Sequence, residues 1–553
     1  MLSVEATLSV SLALLFVFFV RYIQHRKDPA RKIQCAVRGL VISTFLWNIL
    51  TLFQPRSDAH WLWGHEYTEW QNEIGKMYSK WAMALGPVYR IKAAFFKRDI
   101  IVATDNFAVH HIHANTYRYP KAPEFLPIVE SQLGKGIVYV SGDEHRRQRR
   151  LLAPAFTLGA VKGMSDDVVE WTQRFIQRVG TYVGSRGGET TINITPFLSA
   201  CTLDIIGRVA FGHDFRSGES QEAKDIAESW HKDVLFGRTM PGFLLPIMMS
   251  TFPWISKFPA FKTDGVAKQA ALKLAREFLR QNHAHLENGD GKDILSILIR
   301  DQKHSKHAGD RLSQKALLEN VCSTLPAMVG HETTSCTVSF TLFHLARDPE
   351  VQKRLRQEIH DLSDFSYDHI QSLPYLDVVC REGLRLHPAG PRTDRIALED
   401  DVLPLSQPLT TTDGNVVSSI AIKAGQVFQI PSVVQNTDPN VWGEDAAEFK
   451  PERWLRPDGV PSTAQLPSGP YGNVASFLDG PRSCIGWRLA LLEFKIIICL
   501  MIRHFELTST PHHVQSFFIG NLQSFVEGDA QMPIHVKLLA VRPKCLLSLT
   551  CAH

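Results

Sequence analysis

The chain has 553 residues, 44% of them hydrophobic and 21% charged, enough for one large core or two ordinary ones and unlike the composition of a disordered chain. Its 60 Lys and Arg nearly balance its 56 Asp and Glu, and the formal charge of +4 excludes a dominant nucleic-acid footprint. Nine scattered cysteines contain no CxxC pair, which excludes zinc-ribbon and dithiol chemistry and fits a reduced, cytosol-facing domain.

Residues 1–20 open the chain with the length of a bilayer span, and Ala6 to Val20 carries no charge, so a transmembrane anchor is predicted there. The basic residues Arg21, Arg26, Lys27, Arg31, Lys32 and Arg38 follow, and the positive-inside rule places residues 21–38 in the cytosol. A cleaved signal peptide would carry its positive charges before the apolar run. A second apolar run, Leu40 to Phe53, contains Asn48 and is too short for a full span, so residues 39–60 read as an interfacial segment or second span followed by a linker. A single crossing is preferred, because two would place the large domain in an oxidising compartment. Residues 61–553 show no repeat and no low-complexity stretch, and read as one domain.

Within that domain, strands are predicted at Val88 to Lys92, Ile100 to Ala103, Val416 to Ile422 and Val427 to Ile430. Helical spacing covers Leu312 to Arg347, interrupted by Pro326 and ending at Asp348-Pro349. Further helices are predicted from Tyr375 to Leu386 and from Trp487 to about Arg503, so the fold class is mostly α with minor β (α+β). The sequon Asn193-Ile194-Thr195 reads as a chance triplet in a cytosolic domain. His110, His111, His113, His283 and His285 lack metal-site spacing and read as core or surface histidines.

The segment Phe477-Leu478-Asp479-Gly480-Pro481-Arg482-Ser483-Cys484-Ile485-Gly486 sets a cysteine among glycines and a proline, directly before a helical pattern. A thiolate at a helix N-terminus beside Arg482 would have its charge stabilised by the dipole and the guanidinium, as an anionic metal ligand requires. Gly486 would let the backbone approach a flat cofactor closely. The pattern FxxGxRxCxG resembles the haem-ligand signature of the cytochrome P450 family, with Gly480, Arg482, Cys484 and Gly486 all in place.

That resemblance implies a cytochrome P450 fold behind the anchor, haem b as cofactor and Cys484 as the axial iron ligand. Glu382 and Arg385, followed by Arg453 in Pro451-Glu452-Arg453-Trp454, resemble the ExxR and PERF elements that brace the haem loop. Gly330-His331-Glu332-Thr333-Thr334 resembles the oxygen-activation motif, implying that Glu332 and Thr333 deliver protons. Val329 stands where the family usually has Ala or Gly, and with Pro326 it implies an unusual pocket shape. His145, Arg149, Arg395 and Arg482 match the family's propionate partners, with His145 replacing Trp.

The chain carries no GxGxxG between strand and helix, so electrons must come from NADPH through a separate protein, implied to be a membrane-bound NADPH–cytochrome P450 reductase. Arg146, Arg147 and Arg150 read as a solvated face or as its landing patch. The expectation is an endoplasmic-reticulum monooxygenase resembling fungal members, hydroxylating a lipophilic terpenoid or other secondary metabolite. The competing readings are a haem-thiolate isomerase or dehydratase that does not use O2, and a haem sensor without turnover. Specificity is assigned to Pro120 to Ile137, Val234 to Phe252 and Pro391 to Asp394.

Overall fold

The computed structural model describes residues 58–252, 330–456, 458–461 and 466–539, with Ile33 and short pieces between 268 and 296. The expected anchor, most of the basic segment, the second apolar run, Pro326, Val329, His283 and His285 lie outside the described residues. Ile33 is buried beside Val88, Ile101 and Phe428, and its carbonyl accepts a 2.9 Å hydrogen bond from Arg90 Nε. The basic segment thus touches the domain at that point.

Four short strands build the sheet that flanks the site: β1 (Val88–Ile91), β2 (Ile100–Ala103), β3 (Thr393–Ile396) and β4 (Val427–Ile430). Their order is β1-β2-β4-β3, with Val88 opposite Ala103, Ile101 alongside Phe428 in the one parallel pairing, and Arg395 opposite Phe428. β1 and β2 are buried on both faces and are correspondingly apolar in sequence.

The helical body comprises α1 (Gly142–Leu152), α2 (Ser165–Gly184), α3 (Ile194–Phe211), α4 (Gln221–Gly237), α5 (Glu332–Arg347), α6 (Pro374–Leu386) and α7 (Trp487–His504), with shorter helices between them. α6 starts on Pro374, whose missing N–H costs nothing in a first turn, and α5 ends at Asp348, which caps the next helix by accepting from Val351. α7 is apolar almost all round, so it is buried at the centre and packs against α2, α5 and α6. α3 is long and apolar enough to cross a membrane, but it is mostly buried in the domain and packs on α2 and α5, as a core helix does. Asn193 of the sequon caps α3, its side-chain oxygen accepting from Thr195 N at 3.3 Å and from Met532 N at 3.0 Å. Among the described residues the cysteines Cys201, Cys336, Cys380, Cys484 and Cys499 are all free thiols.

Candidate active site

The cysteine loop is held by backbone geometry that its sequence makes possible. Leu478 has φ 58°, a strained conformation for a residue with a side chain, costing about 1–3 kcal/mol. Gly480, at φ 67°, must lack a side chain, since a Cβ there would lie 2.6 Å from the carbonyl oxygen of His113. The turn closes with Cys484 N donating to Phe477 O at 2.8 Å, and α7 starts three residues later with Gly486 as its N-cap. A Cβ on Gly486 would meet only the Phe156 ring, at 3.6 Å, an ordinary van der Waals contact. Burial pushes the Cys484 thiol up, while the Gly486 N–H and the Arg149 guanidinium work in the other direction. The cation whose field reaches the sulfur is therefore Arg149. Arg482 turns away, donating from Nη2 to Val140 O at 2.9 Å.

Behind the loop, Glu382 and Arg385 of α6 are fully buried, and Arg453 is nearly so. Arg385 donates to both carboxylate oxygens, from Nε at 2.9 Å and from Nη2 at 2.8 Å. Arg453 Nε, Trp454 Nε1 and the Lys450 N–H each add a bond of 2.9 Å to the same carboxylate. Burial alone would raise the Glu382 carboxyl, but these donors outweigh it and hold it below its ordinary value. Asn436, which carries no sequence signal, links this cluster to the loop: its carbonyl accepts from Arg385 Nη1 at 2.8 Å and its side-chain oxygen from Ala475 N at 2.8 Å.

Four basic side chains crowd one buried region in which, among the described residues, no carboxylate forms a salt bridge with them and Asp394 acts on Arg395 through its charge alone. Arg395 of β3 is 1% exposed and, among the described residues, its side chain donates only to Thr393 Oγ1 and its neighbour's carbonyl. Arg482 Nε is buried with no hydrogen-bond partner among the described residues, and Arg149 donates to Ser483 O at 2.6 Å. Lys121, bridged to Arg395 by backbone pairing, donates to Val138 O. Burial, followed by mutual repulsion, pushes Arg395 and Arg482 down to about 10 each and His145 of α1 down to about 3, so His145 is neutral. A buried cluster of like charge is unstable unless anions enter it. A cofactor with two carboxylates fits this region, and a thiolate-held iron fits the loop beside it.

Glu332 opens α5 and is 3% exposed. Ser199 Oγ of α3 donates to Glu332 Oε1 at 2.5 Å and His331 Nε2 lies 3.2 Å from the same oxygen. Burial would raise the Glu332 carboxyl, but His331 and Ser199 outweigh it and lower it. Thr333 is the next residue, partly exposed in the first turn.

A family model described as cytochrome P450 matches residues 55–527. The chain belongs to the cytochrome P450 family. It is 30% identical over 509 residues to cytochrome P450 monooxygenase 205 of Postia placenta, covering 87% of this chain and 91% of that one. It is 32% identical over 510 residues to cytochrome P450 monooxygenase 128 of the same fungus, with the same coverage. A ganoderic acid synthetase of Ganoderma lucidum is 29% identical over 461 residues, 77% of this chain and 82% of its own. The chain is a P450 monooxygenase by family, and the family implies haem iron.

In this P450 the three stretches assigned to specificity meet around one cavity of about 710 Å³, at Glu124, Phe125, Phe243, Pro246, Arg392 and Asp394. One wall is unexpectedly charged. Arg392 lies 3.3 Å from Glu69 and 3.0 Å from Asp394, and Glu69 comes from a helix (Gly64–Gln71) whose sequence shows no binding motif. Lys121 and Asn436 were likewise illegible, since Lys121 meets Arg395 and Asn436 meets Arg385 and Ala475 only through the tertiary fold. Of the other histidines, His110 pairs with Asp479 at 2.6 Å and His111 with Asp401 at 2.9 Å, while His113 is buried with neither ring nitrogen bonded among the described residues.

Proposed function

We propose that this P450 is a membrane-anchored enzyme that hydroxylates a lipophilic small molecule of the terpenoid or other fungal secondary-metabolite class. Its electrons come from NADPH through a separate reductase, so that RH, O2, NADPH and H+ give ROH, water and NADP+. Residues 1–20 anchor it in the endoplasmic-reticulum membrane, with the catalytic domain in the cytosol. The observation that carries the reading is the cluster of buried basic side chains at the Cys484 loop, where Arg149 is bonded to Ser483 and its charge reaches the sulfur.

Bound haem supplies oxygen activation at its iron. Cys484 holds that iron as a thiolate, with the Gly486 N–H and Arg149 stabilising the negative sulfur. Arg395, Arg482, Arg149, His145 and Lys121 are assigned to the propionates, with arginine forks suited to carboxylates. Glu382, Arg385 and Arg453 keep the loop from moving. Thr333 positions a proton by hydrogen bonding and Glu332 supplies it. Arg146 and Arg150, exposed on α1, offer positive charge to an acidic reductase.

The substrate class is supported by the fungal origin of the relatives, one of them named for a natural product. The carbon monoxide difference spectrum of the reduced protein tests the core assignment. A Soret band at the thiolate position is expected, with its loss in Cys484→Ser; a wild-type band elsewhere overturns the assignment. Comparing metabolites with and without the gene tests the substrate class.

A further inference from the structure

The imidazole of His331 is the one ring at the head of α5 that the activity described above leaves without a task. It is 1% exposed, and its two nitrogens are treated differently by the fold. Nε2 faces Glu332 Oε1 at 3.2 Å, whereas Nδ1 is buried with no hydrogen-bond partner among the described residues. A buried polar atom left unpaired costs about 1–3 kcal/mol, so a site that keeps one has a use for it or holds water there. The Glu332 carboxylate it faces is a proton acceptor held in place by Ser199, with the indole N–H of Trp230 also turned toward it and helping to lower it.

A carboxylate that gives up a proton in each turnover must regain one. Glu332 is buried, so its proton must arrive through a group bonded to it. Among the described residues bonded to it, His331 is the one that passes a proton through two ends of a conjugated ring.

We infer that His331 is the relay that recharges Glu332: its unpaired Nδ1 takes a proton from a hydronium while Nε2 hands its own proton to Glu332 Oε1. The bonds formed are Nδ1–H and Oε1–H; those broken are Nε2–H and one O–H of the hydronium, which leaves as water. The ring resets when the Nδ1 proton exchanges to Nε2 through water. This inference rests on the reading of Glu332 and Thr333 as the proton-delivering pair.

The test uses the full-length holoenzyme with a P450 reductase and NADPH, without added substrate, and measures how oxygen reduction divides between peroxide and water. His331→Gln keeps an N–H donor at the reach of Nε2 but cannot relay; His331→Phe removes both. The relay predicts that both variants release at least fivefold more peroxide per NADPH than the wild type. A merely positioning histidine predicts that His331→Gln matches the wild type, and that result overturns the inference. Thr333→Ala serves as the control: if it leaves the partition unchanged, the acid–alcohol reading itself has failed. A second readout needs no turnover. Infrared difference spectra of the resting protein, with Glu332→Gln marking the band, are expected to show loss of the ionised Glu332 signal in His331→Phe and its retention in His331→Gln. An unmoved band in His331→Phe means that the His331–Glu332 contact is not there, which also overturns the relay.

Discussion

Arg149 Nη1 lies 2.6 Å from the carbonyl oxygen of Ser483, the residue next to the cysteine, so one guanidinium both fixes the loop and places its charge near the Cys484 sulfur. A hydrogen bond to a charged group contributes about 1.5–3 kcal/mol. Arg149→Leu is therefore expected to weaken haem retention by roughly 10- to 100-fold and to move the carbon monoxide band from the thiolate toward the thiol position. Haem-to-protein ratio after gel filtration and the difference spectrum check both. Unchanged retention with an unchanged band would show that the contact is incidental.

Glu382 sits under five donated hydrogen bonds with no exposure, so its loss strands two buried arginines. Breaking a buried ion pair from one side costs about 3–5 kcal/mol. Glu382→Ala is expected to destabilise the domain by that amount and to yield mostly haem-free protein. Thermal melting of the purified variant, with its absorption spectrum, is the measurement; a stable, haem-loaded variant would contradict the bracing role.

Glu493 of α7 is 1% exposed with Oε2 unpaired, and burial pushes its carboxyl from 4.5 up to about 8 despite the Thr334 hydroxyl, which works the other way. A raised acid favours the folded state in its protonated form. Below pH 4.5 both folded and unfolded chains are protonated and nothing is lost; between 4.5 and about 8 the unfolded chain ionises first and stability falls as pH rises. Glu493→Gln should therefore raise the melting temperature by a few degrees at pH 8 and leave it unchanged near pH 4. Melting curves across that range decide it, and an equal shift at both ends would refute the assignment.

Thr333 follows Glu332 in the first turn of α5. Positioned proton transfer contributes on the order of 10²- to 10⁴-fold. Thr333→Ala is expected to keep haem and the thiolate spectrum while most of the NADPH consumed ends as peroxide. Peroxide assayed against NADPH consumption measures this, and tight coupling in the variant would remove Thr333 from the proton path.

Local elements were legible in the sequence where their cause is local. Ile100–Ala103, Val416–Ile422 and Val427–Ile430 are strands at the predicted bounds, because runs of branched apolar residues between turn formers favour extended backbone. α6 and α7 begin and end within a residue of their predicted limits, since Pro374 and the apolar periodicity act within the segment itself. The cysteine loop could be found because its glycines serve a turn that closes over a few residues.

What the sequence determined alone is therefore the set of local conformations and the chemical kinds present: a thiol in a glycine turn, an ion-pairing helix, an acid beside an alcohol. Only the tertiary structure decided who faces whom. It set Arg149 rather than Arg482 in the field of the sulfur, brought Lys121 against Arg395, routed the brace through Asn436 and aimed His331 at Glu332. The reason is physical. Charge and hydrogen bonding act over a few ångströms of space, and residues 334 positions apart, such as Arg149 and Ser483, acquire that distance only when the whole chain has packed.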